Sequence, residues 1–169
     1  MYKLNKIAVS FLTASIIFSG TGSAFAADEN EGSTINWDQD WHLVDSGINI
    51  PNEVDFGNLN TEKSFSVASW GDLAKGSTAL SADSTKVTST GKTTGKVWLT
   101  VVSATTSLRI SGMSYITGSK GTAIGKLTAT SQVSTSNPSG SQSFEGLTIH
   151  TATDSGILYE ARTYDSGSY

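Results

Sequence analysis

The sequence predicts an all-β protein, an antiparallel sandwich, and three observations carry that prediction. Apolar residues alternate with Ser and Thr at strand period through much of the chain, the pattern of strands with one face in solvent. Turn residues recur roughly every ten positions, which suits about seven short strands. Charged residues make up only 15% of the chain, and no helix-period apolar segment of useful length follows the first 26 residues. A parallel β-helix needs a fixed repeat, and none is present.

Residues 1–26 read as an export signal. Lys3 and Lys6 give a positive start, and Ile7 to Phe18 form an apolar stretch. Ser23-Ala24-Phe25-Ala26 supplies the small-x-small end, with cleavage expected after Ala26 or Ala27. The apolar run is shorter than the roughly 20 residues of a bilayer span, so a membrane helix fits less well. Residues 27–33 (Asp28, Glu29, Asn30, Glu31, Gly32) then read as a flexible acidic arm, and residues 34–169 as a single domain.

Within that domain, Ile35, Trp37, Trp41 and Leu43 are spaced mostly two or four apart, which suggests a first strand over Ile35 to Val44. Ser46-Gly47 and Ile50-Pro51-Asn52 mark turns. Ser64 to Trp70 reads as a second strand with Phe65 and Val67 on one face. Residues 75–95, rich in Gly, Ser, Thr and Lys, look like loop or solvated edge strand. Lys96 to Val102 is the strongest strand signal, apolar on both faces, which places it centrally with Trp98 in the core. Leu108-Arg109-Ile110 starts another strand, stopped or bulged at Gly112, with Tyr115-Ile116 continuing it. Ser119-Lys120-Gly121 suggests a hairpin before a strand over Ile124 to Val133. Asn137-Pro138-Ser139-Gly140 is the clearest turn. Phe144 to His150 and Ile157 to Tyr164 complete the set.

Composition narrows the function. Removing Lys3 and Lys6 with the signal leaves nine basic and fifteen acidic residues, a formal charge of −6. No basic run exists, so nucleic acid has no electrostatic support as a partner. The chain has no cysteine, which excludes disulfides, thiol nucleophiles and thiolate metal sites.

Catalytic candidates are sparse. Only His42 and His150 are present, and no G-x-S-x-G nucleophile elbow occurs. Asp38-x-Asp40 lacks the Gly and downstream Glu of a calcium loop. Gly91-Lys92-Thr93-Thr94-Gly95-Lys96 misplaces the second Gly of a phosphate loop and has Val97 where Ser or Thr belongs. No metal, cofactor or catalytic residue is expected. Trp37, Trp41 and His42 stand among Asp38, Gln39 and Asp40, a mixture that either holds carbohydrate or packs as core.

Trp37-Asp38-Gln39-Asp40-Trp41-His42-Leu43-Val44-Asp45-Ser46-Gly47 resembles the early segment of chaperone–usher fimbrial (pilin) subunits. The similarity is to the cysteine-free kappa-clade K-antigen adhesin fimbriae. Gly121-Thr122-Ala123-Ile124-Gly125-Lys126-Leu127-Thr128-Ala129 resembles a Gly-containing strand start of that fold. Gly156 stands fourteenth from the end, followed by Tyr159 and Tyr164, as in the C-terminal strand of many pilins. Asp165-Ser166-Gly167-Ser168 departs from it as too polar for the strand that a chaperone grips, which leaves Ile157 to Tyr164 to serve instead.

The resemblance implies an immunoglobulin-like sandwich, incomplete and finished by a partner's donor strand. It also implies a periplasmic chaperone, an outer-membrane usher and neighbouring fimbrial subunits as partners, with a host glycan as a further one. The chain is then a minor, tip or adhesin-like subunit at the cell surface. Val97, Leu99, Val101, Leu108 and Ile110 are the expected lining of the donor-strand groove, unless they pack in a self-complete core. The alternative is a secreted carbohydrate-binding sandwich using Trp37 and Trp41.

Overall fold

The computed structural model describes residues 35–57 and 71–169. The expected signal, acidic arm and Ser64–Trp70 strand lie outside the described residues. Among the described residues, one helix, α1 (Trp37–Asp45), precedes nine strands. These are β1 (Glu53–Phe56), β2 (Ala74–Ala82), β3 (Lys86–Gly95), β4 (Val101–Ile110) and β5 (Ile116–Thr117). After them come β6 (Gly121–Ile124), β7 (Thr128–Ser136), β8 (Ser143–Asp154) and β9 (Ile157–Ser168).

All pairings are antiparallel. Sheet A has the order β1-β2-β3-β7, and sheet B the order β5-β4-β8-β9, with β6 also paired to β4. The two sheets face each other as a sandwich, the class that alternation and turn spacing predict. Helix α1 lies on the outer face of sheet B, so that sheet is covered on both sides. This accounts for β4, where all but the two terminal residues are buried.

Turns follow local chemistry. Between β2 and β3, Asp83 Oδ1 accepts from the N–H groups of Thr85 (2.7 Å) and Lys86 (2.9 Å). Between β8 and β9, Ser155 (φ 51°) and Gly156 (φ 79°) form a two-residue hairpin turn of the kind that needs positive φ twice. Gly112 (φ 74°) ends β4 as expected. The chain then reverses, however, and Ile116 pairs back onto Leu108 rather than continuing the strand.

Several expected elements are corrected. Ile35 to Val44 is not a strand. Trp37, Trp41 and Val44 recur at i, i+4 and i+7, a helical face, and Asn36 caps the helix by accepting from Gln39 N–H. Residues 75–95 are two long strands, with β3 inside its sheet rather than at the edge. Lys96 to Thr100 is a crossover between sheets, and β4 begins only at Val101. Trp98 is therefore 73% exposed instead of core. Ser119-Lys120-Gly121 is not a hairpin, because β5 and β6 both pair along the same edge of β4. The expected Ile124–Val133 strand divides at Gly125 (φ 71°) into β6 and β7. Asp165 to Ser168 does continue β9, since Gly146 and Phe144 of β8 supply the pairing that its polarity does not.

The interior has two apolar ends and a polar middle. One end packs Val54, Phe56, Leu73, Val102, Ala152 and Tyr159. The other packs Val87, Leu108 and Phe144 with Leu80, Val133 and Tyr169. Between them lies a belt of buried hydroxyls around His150. Its ring nitrogens meet Thr93 Oγ1 (Nδ1, 2.7 Å) and Thr163 Oγ1 (Nε2, 2.6 Å). Thr93 donates its own proton to Ser103 O at 2.7 Å, so it accepts from Nδ1–H. That assigns the neutral tautomer, with Nε2 accepting from Thr163. Thr78 continues the network to Thr148 (2.7 Å), and Thr148 donates to Thr106 (3.0 Å), beside Ser89 (3.0 Å). Glycine makes room for it. A Cβ on Gly76 would stand 2.6 Å from the His150 ring, and one on Gly91 would strike Thr148.

Candidate binding site

Helix α1 carries the candidate site, and its fixation comes first. Asp38 and Asp40 lie in the first turn, where carboxylates favour the positive end of the helix. Trp41 is only 3% exposed, and its Nε1 donates to Ser107 Oγ of β4 at 3.1 Å. The Arg109 guanidinium sits 4.1 Å from the Trp41 ring centroid, within cation–π range. Arg109 also donates to both oxygens of Asp45 on α1 and, through Nε, to Glu145 Oε2 of β8 at 2.6 Å. Burial pulls the Arg109 pKa down, but Asp45 and Glu145 outweigh that and leave it raised. Arg162 of β9 donates to Asp40, so two ion pairs to two strands strap one short helix.

An aromatic ledge rises beside this clamp. The β4–β5 turn brings Tyr115 to 6.3 Å from Trp37 and 6.5 Å from Trp41, ring centroid to centroid. Tyr115 Oη donates to Asp38 Oδ1 at 3.0 Å, and this bond holds the phenol above its ordinary pKa. An open concavity follows, lined by Asp38, Trp41, Asp45, Arg109, Met113 and Tyr115 among others.

The sequence-predicted residues scatter. Trp37 is half-buried at the ledge. Trp41 lies beneath the ledge at the floor of the concavity, almost wholly buried and with its indole N–H already used, so it anchors the helix. His42 is exposed on the next helical position.

The expected groove residues do not line one groove. Val97 and Val101 are half-buried and Leu99 is 84% exposed at one end of β4, whereas Leu108 is fully buried and Ile110 half-buried at the other. A ten-residue strand rises roughly 30 Å, so its two ends belong to different clusters. Gly156 occupies the β8–β9 turn. Tyr159 points into the core and Tyr164 packs with the helix cluster.

Tyr115, Arg109 and Asp45 escaped the sequence reading. Arg109 between Leu108 and Ile110 was the usable signal, because a cation in an apolar strand needs a buried counter-charge.

Two further surfaces stand out. Trp98, Leu99 and Leu127 (the last 67%) are exposed where the β3–β4 crossover touches the β6–β7 turn, with Lys126 Nζ 5.3 Å from the Trp98 ring centroid. The outer face of sheet A is polar. Ser89 and Lys92, spaced like a serine–lysine catalytic pair, lie on opposite faces of β3, Ser89 buried and Lys92 exposed. Among the described residues, no three His, Asp or Glu side chains are grouped to hold a metal ion.

No protein family matches this chain, and no curated protein does. A solved structure of a protein from Archaeoglobus fulgidus aligns with a TM-score of 0.33 and 10% identity, over 57% of this chain and 93% of that one.

Proposed function

We propose that this chain is an exported, non-catalytic adhesion module that binds carbohydrate at the Trp37–Tyr115 ledge. The observation that supports it is the ledge itself. Two aromatic rings stand beside the Asp38 carboxylate on a helix clamped at both ends. Aromatic faces cover the apolar side of a sugar ring, and a fixed carboxylate accepts from its hydroxyls. Trp37, Tyr115 and Asp38 carry the binding, and Trp41 with Arg109 position them.

A glycan array with the full chain tests this. Saturable binding is expected, and Trp37→Ala should weaken it by about tenfold or more with the melting transition intact. Absence of saturable binding to any glycan, or binding indifferent to both Trp37→Ala and Tyr115→Ala, would sink the reading.

A second reading is the fimbrial subunit, handed from periplasmic chaperone to outer-membrane usher and joined to neighbouring subunits by strand addition. What favours it is β9, twelve residues long at an edge of sheet B, the kind of edge an added strand uses. Expression of the mature chain without a chaperone separates the two. A cooperatively folded monomer supports the self-contained module, whereas aggregation relieved by a cognate chaperone or a fused donor strand supports the subunit.

A further inference from the structure

The outer face of sheet A is built of hydroxyls and lysines. At outward positions β2 carries Lys75, Ser77, Ala79 and Ser81. On β3 the outward residues are Lys86, Thr88, Thr90, Lys92 and Thr94, and on β7 they are Thr128, Thr130, Gln132, Ser134 and Ser136. These three strands present hydroxyls and three lysines outward, with no carboxylate and no aromatic ring. Glu53 and Asp55 stand on β1 at the sheet's edge, tied to Lys75 (2.7 Å) and Lys96 (2.8 Å).

Lys92 is central. Its cross-strand neighbours are Ser77 and Thr130, and its same-face neighbours along β3 are Thr90 and Thr94. Lys75 is its diagonal neighbour, about 7–8 Å away by sheet geometry. The hydroxyls are ordered before any ligand arrives. Thr88 pairs with Ser134 (2.8 Å), Thr94 with Thr128 (2.8 Å), and Gln132 Nε2 donates to Thr90 (3.1 Å).

We infer that this face binds a linear acidic polysaccharide, with Lys92 and Lys86 meeting its carboxylates and the Ser/Thr rows its hydroxyls. Charge and composition choose the occupant. A protein partner would need apolar or aromatic anchors, which the face lacks. A neutral sugar relies on aromatic stacking, also missing here. A cationic, hydroxyl-covered face on a chain of net charge −4 complements a hydroxylated polyanion. Regular strand spacing repeats the donors along and across the sheet, as a polymer repeats its acceptors. This inference does not depend on the ledge.

Affinity electrophoresis of the full chain through gels containing polygalacturonate, a polymer of uronic acid, tests it. Neutral dextran gels and double-stranded DNA serve as comparisons. Retardation by polygalacturonate alone is expected, weakening as salt rises from about 50 to 300 mM. Lys92→Glu should weaken binding by about tenfold or more, and Thr130→Val by a few-fold without changing the salt dependence. Both positions are exposed, so unchanged circular dichroism and melting should accompany the losses. Trp37→Ala should leave this binding intact, which keeps failure here separate from failure of the ledge. No retardation at low salt, retention in Lys92→Glu, or equal binding to DNA would overturn the assignment.

Discussion

On its inner face, sheet B buries Thr106, Thr148, His150 and Thr163 as neutral groups; on its outer face, the same strands bury Arg109 against Asp45 and Glu145. The inner solution needs little desolvation, because hydroxyls and a neutral imidazole satisfy one another. What it needs is space, and Gly76 and Gly91 provide it. The outer solution takes charges out of water and recovers the cost only if every partner is present. The neutral belt therefore fails by volume and the clamp by losing one charge. The clamp in return fixes α1 at a defined place, which is what holds the ledge.

Crowding the belt should do the most damage. Gly76→Val drives a branched side chain into the His150 ring and breaks its bonds to Thr93 and Thr163. A loss of about 4 kcal/mol is expected, combining overpacking with an orphaned ring nitrogen. Urea denaturation measures it. A loss below about 1 kcal/mol would mean that the ring has room to move.

Removing one charge from the clamp should come next. Arg109→Met leaves Glu145 without its partner at a site where the arginine was only 7% exposed, at a cost of about 3 kcal/mol. The double variant Arg109→Met, Glu145→Met should recover most of that stability. If the double variant is no better than the single, the arginine was packing rather than pairing.

Acid should separate the two faces more gently. Burial depresses the His150 pKa from 6.5 to about 3. Above pH 6.5 folded and unfolded states are both neutral there, and the contribution is fully present. As pH falls from 6.5 towards 3, the unfolded chain takes up a proton that the folded chain refuses. Stability then drops by about 1.4 kcal/mol per pH unit, about 2 kcal/mol by pH 5. Arg109 holds the Asp45 carboxyl below its ordinary value, so its loss belongs to more acidic solution. Stability curves at several pH values should show the first slope in the native chain and not in His150→Gln. A native chain whose stability is flat from pH 6.5 to 5 would contradict the buried neutral ring.

Much of the strand map was legible in the sequence. Alternation located β7, β8 and the start of β9, Asn137-Pro138 marked the turn between β7 and β8, and Gly112 marked the end of β4. Trp37 was legible as an aromatic beside carboxylates. Its partner Tyr115 was not, since 78 positions separate them and no local pattern records such a meeting. The misread helix has a local cause: spacings of four suit both a strand face and a helical turn, and the Asn36 cap with Asp38 and Asp40 was the signal to weigh.

Sequence by itself determined the class of this protein: a chain low in charge, rich in alternating Ser and Thr, and punctuated by turns makes antiparallel sheets, because pleat period and turn chemistry are local properties. Tertiary structure decided where the polar and apolar residues ended up. Residues 89–95 look like loop because their inward positions are Ser89, Gly91, Thr93 and Gly95, small residues where a strand usually places large ones. They form an interior strand because Thr148 and His150 of the facing sheet already fill that volume and supply its hydrogen bonds. Lys96 to Thr100 carries the opposite lesson. Its apolar run reads as core, yet the chain must cross from sheet A to sheet B at that point, and the crossing leaves Trp98 and Leu99 in solvent. Hydrophobicity is a property of the residue, and burial is a property of what packs against it.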